Sequence, residues 1–378
     1  MLLNLALFCV FTASFAIFCV SYFGYLAYVG RAAKRPWGFK SDENYRPFVS
    51  VLVPAHNEEA VIERKLENIL AVSYPKQKFE VLVADDDSED GTLTEVQNFV
   101  SLHPELDVRI VRQFPRGGKS AALNLALPST KGSIVVVSDA DTLWHSDVFE
   151  KALPFMADPV VGAVSGRGVN ENSDESWVTK SEGTYLNLTN LLRTGESKIY
   201  STIRFEGGFC AFKKDAFSAF DCETGSDDSG TALDVIQNNR RAIMVPEVIF
   251  STSFPATFLG RFRTKVRRAT QLVSLWVKCL KLMVLGHLLL PKKIAVPEIM
   301  LFIVNPIFFL LLVASTLGII AVAPFSLLSV SILGLLGLLV IFVRRVFVEV
   351  LFDNLILLYA LVSLALGRRY TSWQSTRD

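Results

Sequence analysis

The sequence predicts an α/β domain with a Rossmann-like, mostly parallel sheet, set between apolar helices long enough to cross a bilayer. Three observations point there. Between residues 47 and 256, short β-branched runs alternate with helical ones, the pattern of a parallel sheet covered by helices on both faces. Long, nearly uncharged stretches lie on either side of that region. The strand-like run Ile134-Val135-Val136-Val137 leads into Asp139-Ala140-Asp141, and ligands of such sheets bind beyond the carboxyl ends of the strands.

Composition narrows the class. The chain has 378 residues, 51% of them hydrophobic, with mean hydropathy +0.38. That suits one domain of about 220–250 residues plus membrane segments. A net charge of +1 gives no overall attraction to nucleic acid. The five cysteines, Cys9, Cys19, Cys210, Cys222 and Cys279, have no regular spacing and fit a reducing compartment. Four scattered histidines argue against a zinc site.

The elements follow in order. Residues 5–29 are almost wholly apolar, and residues 1–30 are read as an N-terminal transmembrane helix. They lack the basic start, short core and Ala-x-Ala end of a signal peptide, so an uncleaved anchor is expected. Arg31, Lys34 and Arg35 follow, which places the next region in the cytoplasm of a protein integral to the cell membrane. In the domain 47–256, strands are expected at 48–53, 79–84, 108–111, 134–137 and 160–164. A helix is expected at 58–71, with Ile62, Leu66, Ile69 and Leu70 as its apolar stripe and Asn57 as its cap.

Residues 257–290 read as basic amphipathic helix, in one piece or broken, lying in the headgroup layer. Arg261, Arg263, Lys265, Arg267, Arg268, Lys278 and Lys281 come there without an acid. Residues 294–367 hold two or three further spans, with a turn near Ala323-Pro324. The last segment, 346–366, carries Glu349, Asp353 and Asn354 and either spans with its acids against other helices or lies shallowly. Arg344/Arg345 and Arg368/Arg369 flank it on both sides and leave its orientation open.

Chemistry gathers at the strand ends. Residues two apart in an extended segment point the same way, so Asp139 and Asp141 face one spot. Carboxylates that converge suit a divalent cation, and oxygen-only ligands favour Mg²⁺ or Mn²⁺. Alone, the triplet is as well explained by a solvated turn. Pro54-Ala55-His56-Asn57-Glu58-Glu59 after the first strand offers backbone N–H groups and a carboxylate to a ligand. In Ala84-Asp85-Asp86-Asp87-Ser88-Glu89-Asp90-Gly91-Thr92, Ser88 or Asp90 can cap the next helix. Asp85 and Asp86 remain to accept hydrogen bonds, for instance from a nucleobase or ribose. Arg116-Gly117-Gly118-Lys119-Ser120 before the helix 121–127 suits a phosphate but lacks Walker spacing.

These four motifs, in this order, resemble the family 2 glycosyltransferases with a GT-A fold. The likeness runs from about Pro47 to Val273, and the flanking helices resemble the membrane-integrated, polysaccharide-synthase-like branch. The resemblance implies that Pro54, Ala55, His56, Glu58, Asp85 and Asp86 hold the nucleotide. It implies that Lys119, Asp139 and Ala140 contact the donor, and that Asp139 and Asp141 bind the metal on the diphosphate. Phe205-Glu206-Gly207-Gly208-Phe209-Cys210 resembles the acceptor-side strand, with Gly207, Gly208, Cys210 and Asp227 toward the acceptor. Ser226-Asp227-Asp228-Ser229-Gly230 resembles the element whose last acid is the catalytic base, here Asp228. Arg267 matches the arginine of the Gln-x-x-Arg-Trp element that contacts diphosphate and acceptor, which implies a donor-binding role, but Thr264 and Arg268 replace its Gln and Trp, which puts processive synthesis in doubt. Trp373-Gln374-Ser375-Thr376-Arg377 echoes a tail seen in such enzymes.

The reading is therefore a membrane-bound, metal-dependent, inverting glycosyltransferase. It uses a nucleotide-diphosphate sugar and a lipid-linked or polysaccharide acceptor at the bilayer. The alternatives are a non-catalytic nucleotide-sugar-binding membrane scaffold and, less favoured, a sugar nucleotidyltransferase, which wants a glycine-rich loop at the first strand.

Overall fold

Among the described residues, eight strands form one mixed sheet: β1 (Val49–Ala55), β2 (Phe79–Asp86), β3 (Asp107–Gln113), β4 (Ile134–Val137), β5 (Leu143–Trp144), β6 (Val161–Asn170), β7 (Cys210–Lys213) and β8 (Arg241–Thr252). Their spatial order is β3-β2-β1-β4-β7-β6-β8-β5. The computed structural model describes residues 2–172, 175–255, 257–342 and 344–367. The tail motif at 373–377 and Arg368/Arg369 lie outside them.

Strands β3, β2, β1 and β4 are parallel, β7 runs antiparallel between β4 and β6, and β6 and β8 are parallel. From β1 the chain goes outward to β2 and β3, then returns to β4 on the other side of β1. That reversal opens a crevice at the carboxyl ends of β1 and β4, where Leu52 pairs with Val137. The three inner parallel strands, β2, β1 and β4, are buried along their whole length, while the edge strand β3 alternates apolar and charged residues. Val51, Leu52, Val53, Val81, Leu82, Val83, Val135 and Val136 are all fully buried.

The helices of this unit, residues 29–261 and 288–291, are α3 (Ile62–Leu70), α4 (Thr92–Leu102), α5 (Lys119–Ala126), α6 (Val148–Met156), α7 (Trp177–Ile199) and α8 (Asp227–Gln237). The expected stripe on α3 is buried at Ile62, Leu66 and Ile69, and Lys65 is buried with it. The helix starts at Ile62 rather than at residue 58, and Asn57 does not cap it. Asn57 has φ +57° and binds the next loop instead.

The second unit, described over 2–28, 262–287 and 292–367, is helical. Helix α1 (Leu2–Cys19) passes through a π turn, Val20–Gly24, into α2 (Tyr25–Ala33). Helix α9 (Phe258–Val284) is continuous. Then come α10 (Lys292–Ile299), a second π turn (Met300–Val304), α11 (Asn305–Val322), α12 (Leu327–Phe342) and α13 (Arg344–Ala365). Among the described residues, three helical stretches are long and apolar enough to cross a membrane: Leu3–Ala33, Lys292–Val322 and Val348–Ala365; Leu327–Leu338 is apolar but shorter.

The basic residues of α9 find acids elsewhere in the chain. Lys265 pairs with Asp353 at 2.7 Å and Glu349 at 3.2 Å, so acids distant in sequence answer it. Arg261, in the sheet unit, is buried against Glu182 at 2.6 Å. A periodicity count along one helix does not see partners on another.

Candidate functional site

The loops that leave β1 and β2 are stitched together. The His56 ring nitrogen Nδ1 lies 2.8 Å from the Asp86 carbonyl. The Asn57 N–H donates to Ser88 Oγ at 3.0 Å, the Glu89 N–H donates to Asn57 Oδ1 at 2.9 Å, and the Glu58 N–H donates to Thr92 Oγ1 at 2.8 Å. Glu58, Pro54 and Ala55 are buried and His56 is half-buried. Asp90 accepts from the Thr92 N–H at 3.0 Å at the start of α4, while Ser88 serves Asn57 instead.

The two acids set aside for a nucleotide are engaged within the protein. Asp85 is fully buried, accepts from the Ser88 N–H at 3.3 Å and pairs with Arg112 at 3.4 Å. Asp86 accepts from the N–H groups of Gly117 and Gly118 at 2.8 and 2.9 Å and from Gln113 Nε2 at 3.1 Å, with Arg116 at 3.6 Å. One carboxylate thus gathers the loop that delivers Lys119. Gly118 sits at φ +93°, a conformation that favours glycine. Asp86→Ala removes two backbone hydrogen bonds and the Arg116 ion pair to this loop, and the bond from Gln113 at the end of β3. We expect it to lower nucleoside diphosphate affinity about tenfold or more with or without metal, read by calorimetry, since each lost bond to a charged group is worth about 1.5–3 kcal/mol.

Lys119, at the first turn of α5, joins the remaining acids. Its Nζ lies 2.7 Å from Asp139 Oδ1 and 3.0 Å from Asp227 Oδ2. Burial alone lowers the ammonium pKa, but Asp139, Asp227 and Asp228 together outweigh it and hold it well above the ordinary lysine value. Asp227 is also shifted upward, to about 6: burial raises it, Lys119 opposes, and Asp228 and Asp139 add like charge. Both partners move up because the ammonium has three acids around it, while Asp227 shares one ammonium against its burial. Asp228 is half-buried beside it in the first turn of α8. Its Oδ1 accepts from Ser226 Oγ at 2.7 Å and from the Ser229 N–H at 2.6 Å. Neither of these bonds uses Oδ2.

The Asp139–Asp141 loop is fixed from below. The Asp139 N–H donates to the Gly207 carbonyl at 2.9 Å. The Gly208 carbonyl accepts from Ser138 Oγ at 2.8 Å and Trp144 Nε1 at 2.7 Å. A side chain on Gly207 would run into the Asp139 carboxylate, and one on Gly208 into the Phe250 ring. These glycines let the backbone approach the acid loop closely. Ala140 is buried, Asp139 half-buried and Asp141 exposed. Cys210, expected toward the acceptor, is instead fully buried in β7 and donates its thiol to the Glu206 carbonyl at 3.0 Å. Burial, with help from Asp228 and Asp227, pushes the thiol pKa well up.

The donor set fits a divalent cation. Among the described residues no three His, Cys, Asp or Glu side chains converge as a closed metal cage. Asp139 and Asp141 lie on a turn, closed by the Thr142 N–H on the Asp139 carbonyl at 3.3 Å, rather than in an extended segment, and Mg²⁺-like ions characteristically take one or two carboxylates plus substrate phosphates and water. An ammonium already rests on Asp139. Arg267 belongs to the other unit. The sequence reading missed Lys65, which touches the acid loop, and Arg193, a fully buried guanidinium 3.0 Å from Glu206.

The family model described as Glycosyl transferase family 2 matches residues 50–220. The solved structure of mannosyltransferase PcManGT from Pyrobaculum calidifontis, in complex with GDP-Man and Mn²⁺, aligns at a TM-score of 0.79 and 32% identity, over 96% of this chain and 98% of that one. The beta-monoglucosyldiacylglycerol synthase of Trichormus variabilis is 38% identical over 142 residues, which are 38% of this chain and 30% of the synthase. The chain thus spans less than a third of the length of that curated relative. The chain belongs to glycosyl transferase family 2 and has its GT-A fold. These relatives are a mannosyltransferase and a glycolipid synthase, so the narrower polysaccharide-synthase-like placement does not follow.

Proposed function

We propose that the protein is a membrane-bound, metal-dependent glycosyltransferase. It moves a sugar from a nucleoside diphosphate to a hydroxyl of a lipid acceptor, with inversion at the anomeric carbon. The observation that carries this is the convergence of Asp139 and Asp227 on the Lys119 ammonium. It joins the acid loop of β4, the loop held by Asp86 and the first turn of α8 in one place, although the three are far apart in the chain.

The β1 and β2 loops and the loop of Gly117 and Gly118 hold the nucleotide in this reading. Lys119 turns from Asp139 to the diphosphate as the donor binds. Asp139 and Asp141 would hold Mg²⁺ or Mn²⁺, and the ion would supply positive charge for the leaving diphosphate. Asp228 Oδ2 takes the acceptor hydroxyl proton while the oxygen attacks the anomeric carbon. The bond from that carbon to the diphosphate oxygen breaks, and its electron pair leaves with the nucleoside diphosphate. The cluster Arg31, Lys34 and Arg35 supports a cytoplasmic site.

A lipid acceptor of the diacylglycerol or glycolipid kind is favoured by the synthase relative, and Thr264 and Arg268 in place of Gln and Trp weigh against processive synthesis. The test is to incubate the full chain in detergent or membranes with Mn²⁺, radiolabelled GDP- and UDP-hexoses, and diacylglycerol or a total lipid extract. Label should move into the organic phase with stoichiometric nucleoside diphosphate. No transfer and no diphosphate release from any donor would leave a nucleotide-sugar-binding scaffold as the better account.

A further inference from the structure

Lys65 belongs to no motif, yet it is fully buried on α3, on the helix face that carries Ile62, Leu66 and Ile69. A charged group is rarely buried unless something holds it. Its Nζ donates to Ser138 Oγ at 2.6 Å and to the Thr142 carbonyl at 2.8 Å, and lies 4.3 Å from the centre of the Trp144 ring. Ser138 and Thr142 bracket Asp139-Ala140-Asp141 in sequence. Each also reaches the Gly208 carbonyl, Ser138 Oγ at 2.8 Å and Thr142 Oγ1 at 3.5 Å. The ammonium therefore pins both ends of the acid loop to the helix that follows the first nucleotide loop.

We infer that Lys65 is a positioning residue for the divalent cation: it holds the Asp139–Asp141 loop so that both carboxylates meet the metal-bound diphosphate of the donor. Its charge sits behind the loop, where it offsets the repulsion of two carboxylates brought together for one ion. Burial lowers the Lys65 pKa to about 7 while Asp139 and Asp141 pull it back up, which agrees with that electrostatic contact. The inference rests on the metal-dependent donor site proposed above.

Its test separates the cation from the nucleotide. GDP and UDP are titrated into the full chain in detergent by calorimetry, with and without Mn²⁺. Lys65→Met keeps the apolar stem within the apolar face of α3 and removes the ammonium. The gain in affinity that Mn²⁺ confers should fall about 10–100-fold, the usual effect of removing a group that orients a metal ligand, with cation-free nucleotide affinity unchanged. Ser138→Ala removes the 2.6 Å acceptor and should reproduce part of that loss, which keeps the test decisive should Lys65→Met fail to fold. An unchanged Mn²⁺ gain in both variants overturns the inference, as does an equal loss of cation-free binding, which would mark Lys65 as scaffolding. A wild-type chain whose nucleotide affinity ignores Mn²⁺ overturns the metal site itself, and the role of Lys65 with it.

Discussion

Asp228→Asn should lower turnover by about 10²–10⁴-fold, the range over which a positioned general base acts, while nucleoside diphosphate affinity with Mn²⁺ stays near the wild-type value. The substitution is close to isosteric. The amide oxygen of the new side chain can still accept from Ser226 Oγ and the Ser229 N–H, as Asp228 Oδ1 does at 2.7 and 2.6 Å. What is lost is the proton-accepting oxygen. The neighbour gives the control. Asp227 is buried and ion-paired to Lys119, so Asp227→Asn should disturb donor affinity as well as turnover. Steady-state kinetics beside calorimetry distinguishes them. A kcat loss without an affinity loss marks the base, and an Asp228→Asn enzyme with wild-type turnover would move that role elsewhere.

The sheet was legible wherever a strand was buried on both faces. The run Ile134–Val137 is β4 to the residue, because continuous β-branched sequence leaves little choice of register. Strand β8 was missed since Pro246 and Glu247 interrupt it, at the stretch where its pairing with β6 shifts register. Helix α7 was missed because its burial runs through polar groups: Arg193 with Glu206, Glu182 with Arg261, Glu196 with Thr202. In the site, the acid loop after β4 could be read, since its chemistry sits in adjacent residues. The role of Asp86 could not. Its partners are backbone N–H groups of Gly117 and Gly118, and nothing in residue identity announces a carboxylate spent on main chain. Lys65 was hidden by the rule that found its helix, since an apolar stripe is counted without asking which polar residue falls inside it.

Asp139→Ala should abolish the Mn²⁺-dependent gain in donor affinity and lower turnover by about 10²–10³-fold or more, on the scale of losing one electrostatic contact to the transition state. Asp139 is asked to do two things in turn, and the variant removes both. In the proposed donor-bound state it would be a ligand of the cation. Without donor, it takes the Lys119 ammonium at 2.7 Å and shares it with Asp227. Removing its charge withdraws a like charge from Asp227 and leaves Lys119 to that acid alone, so the Asp227 pKa should fall below its value of about 6. The sign of the stability effect follows. A carboxyl whose pKa is raised on folding contributes most below its unfolded pKa and loses that contribution as pH rises through its folded pKa. In the wild-type chain this part of the stability should decline from about pH 4 to about pH 6, and in Asp139→Ala the decline should end at lower pH. Thermal unfolding in detergent between pH 4 and pH 7 reads it without any substrate. An Asp139→Ala chain that keeps its Mn²⁺ response would show that the cation rests on other acids, whatever the pH profile.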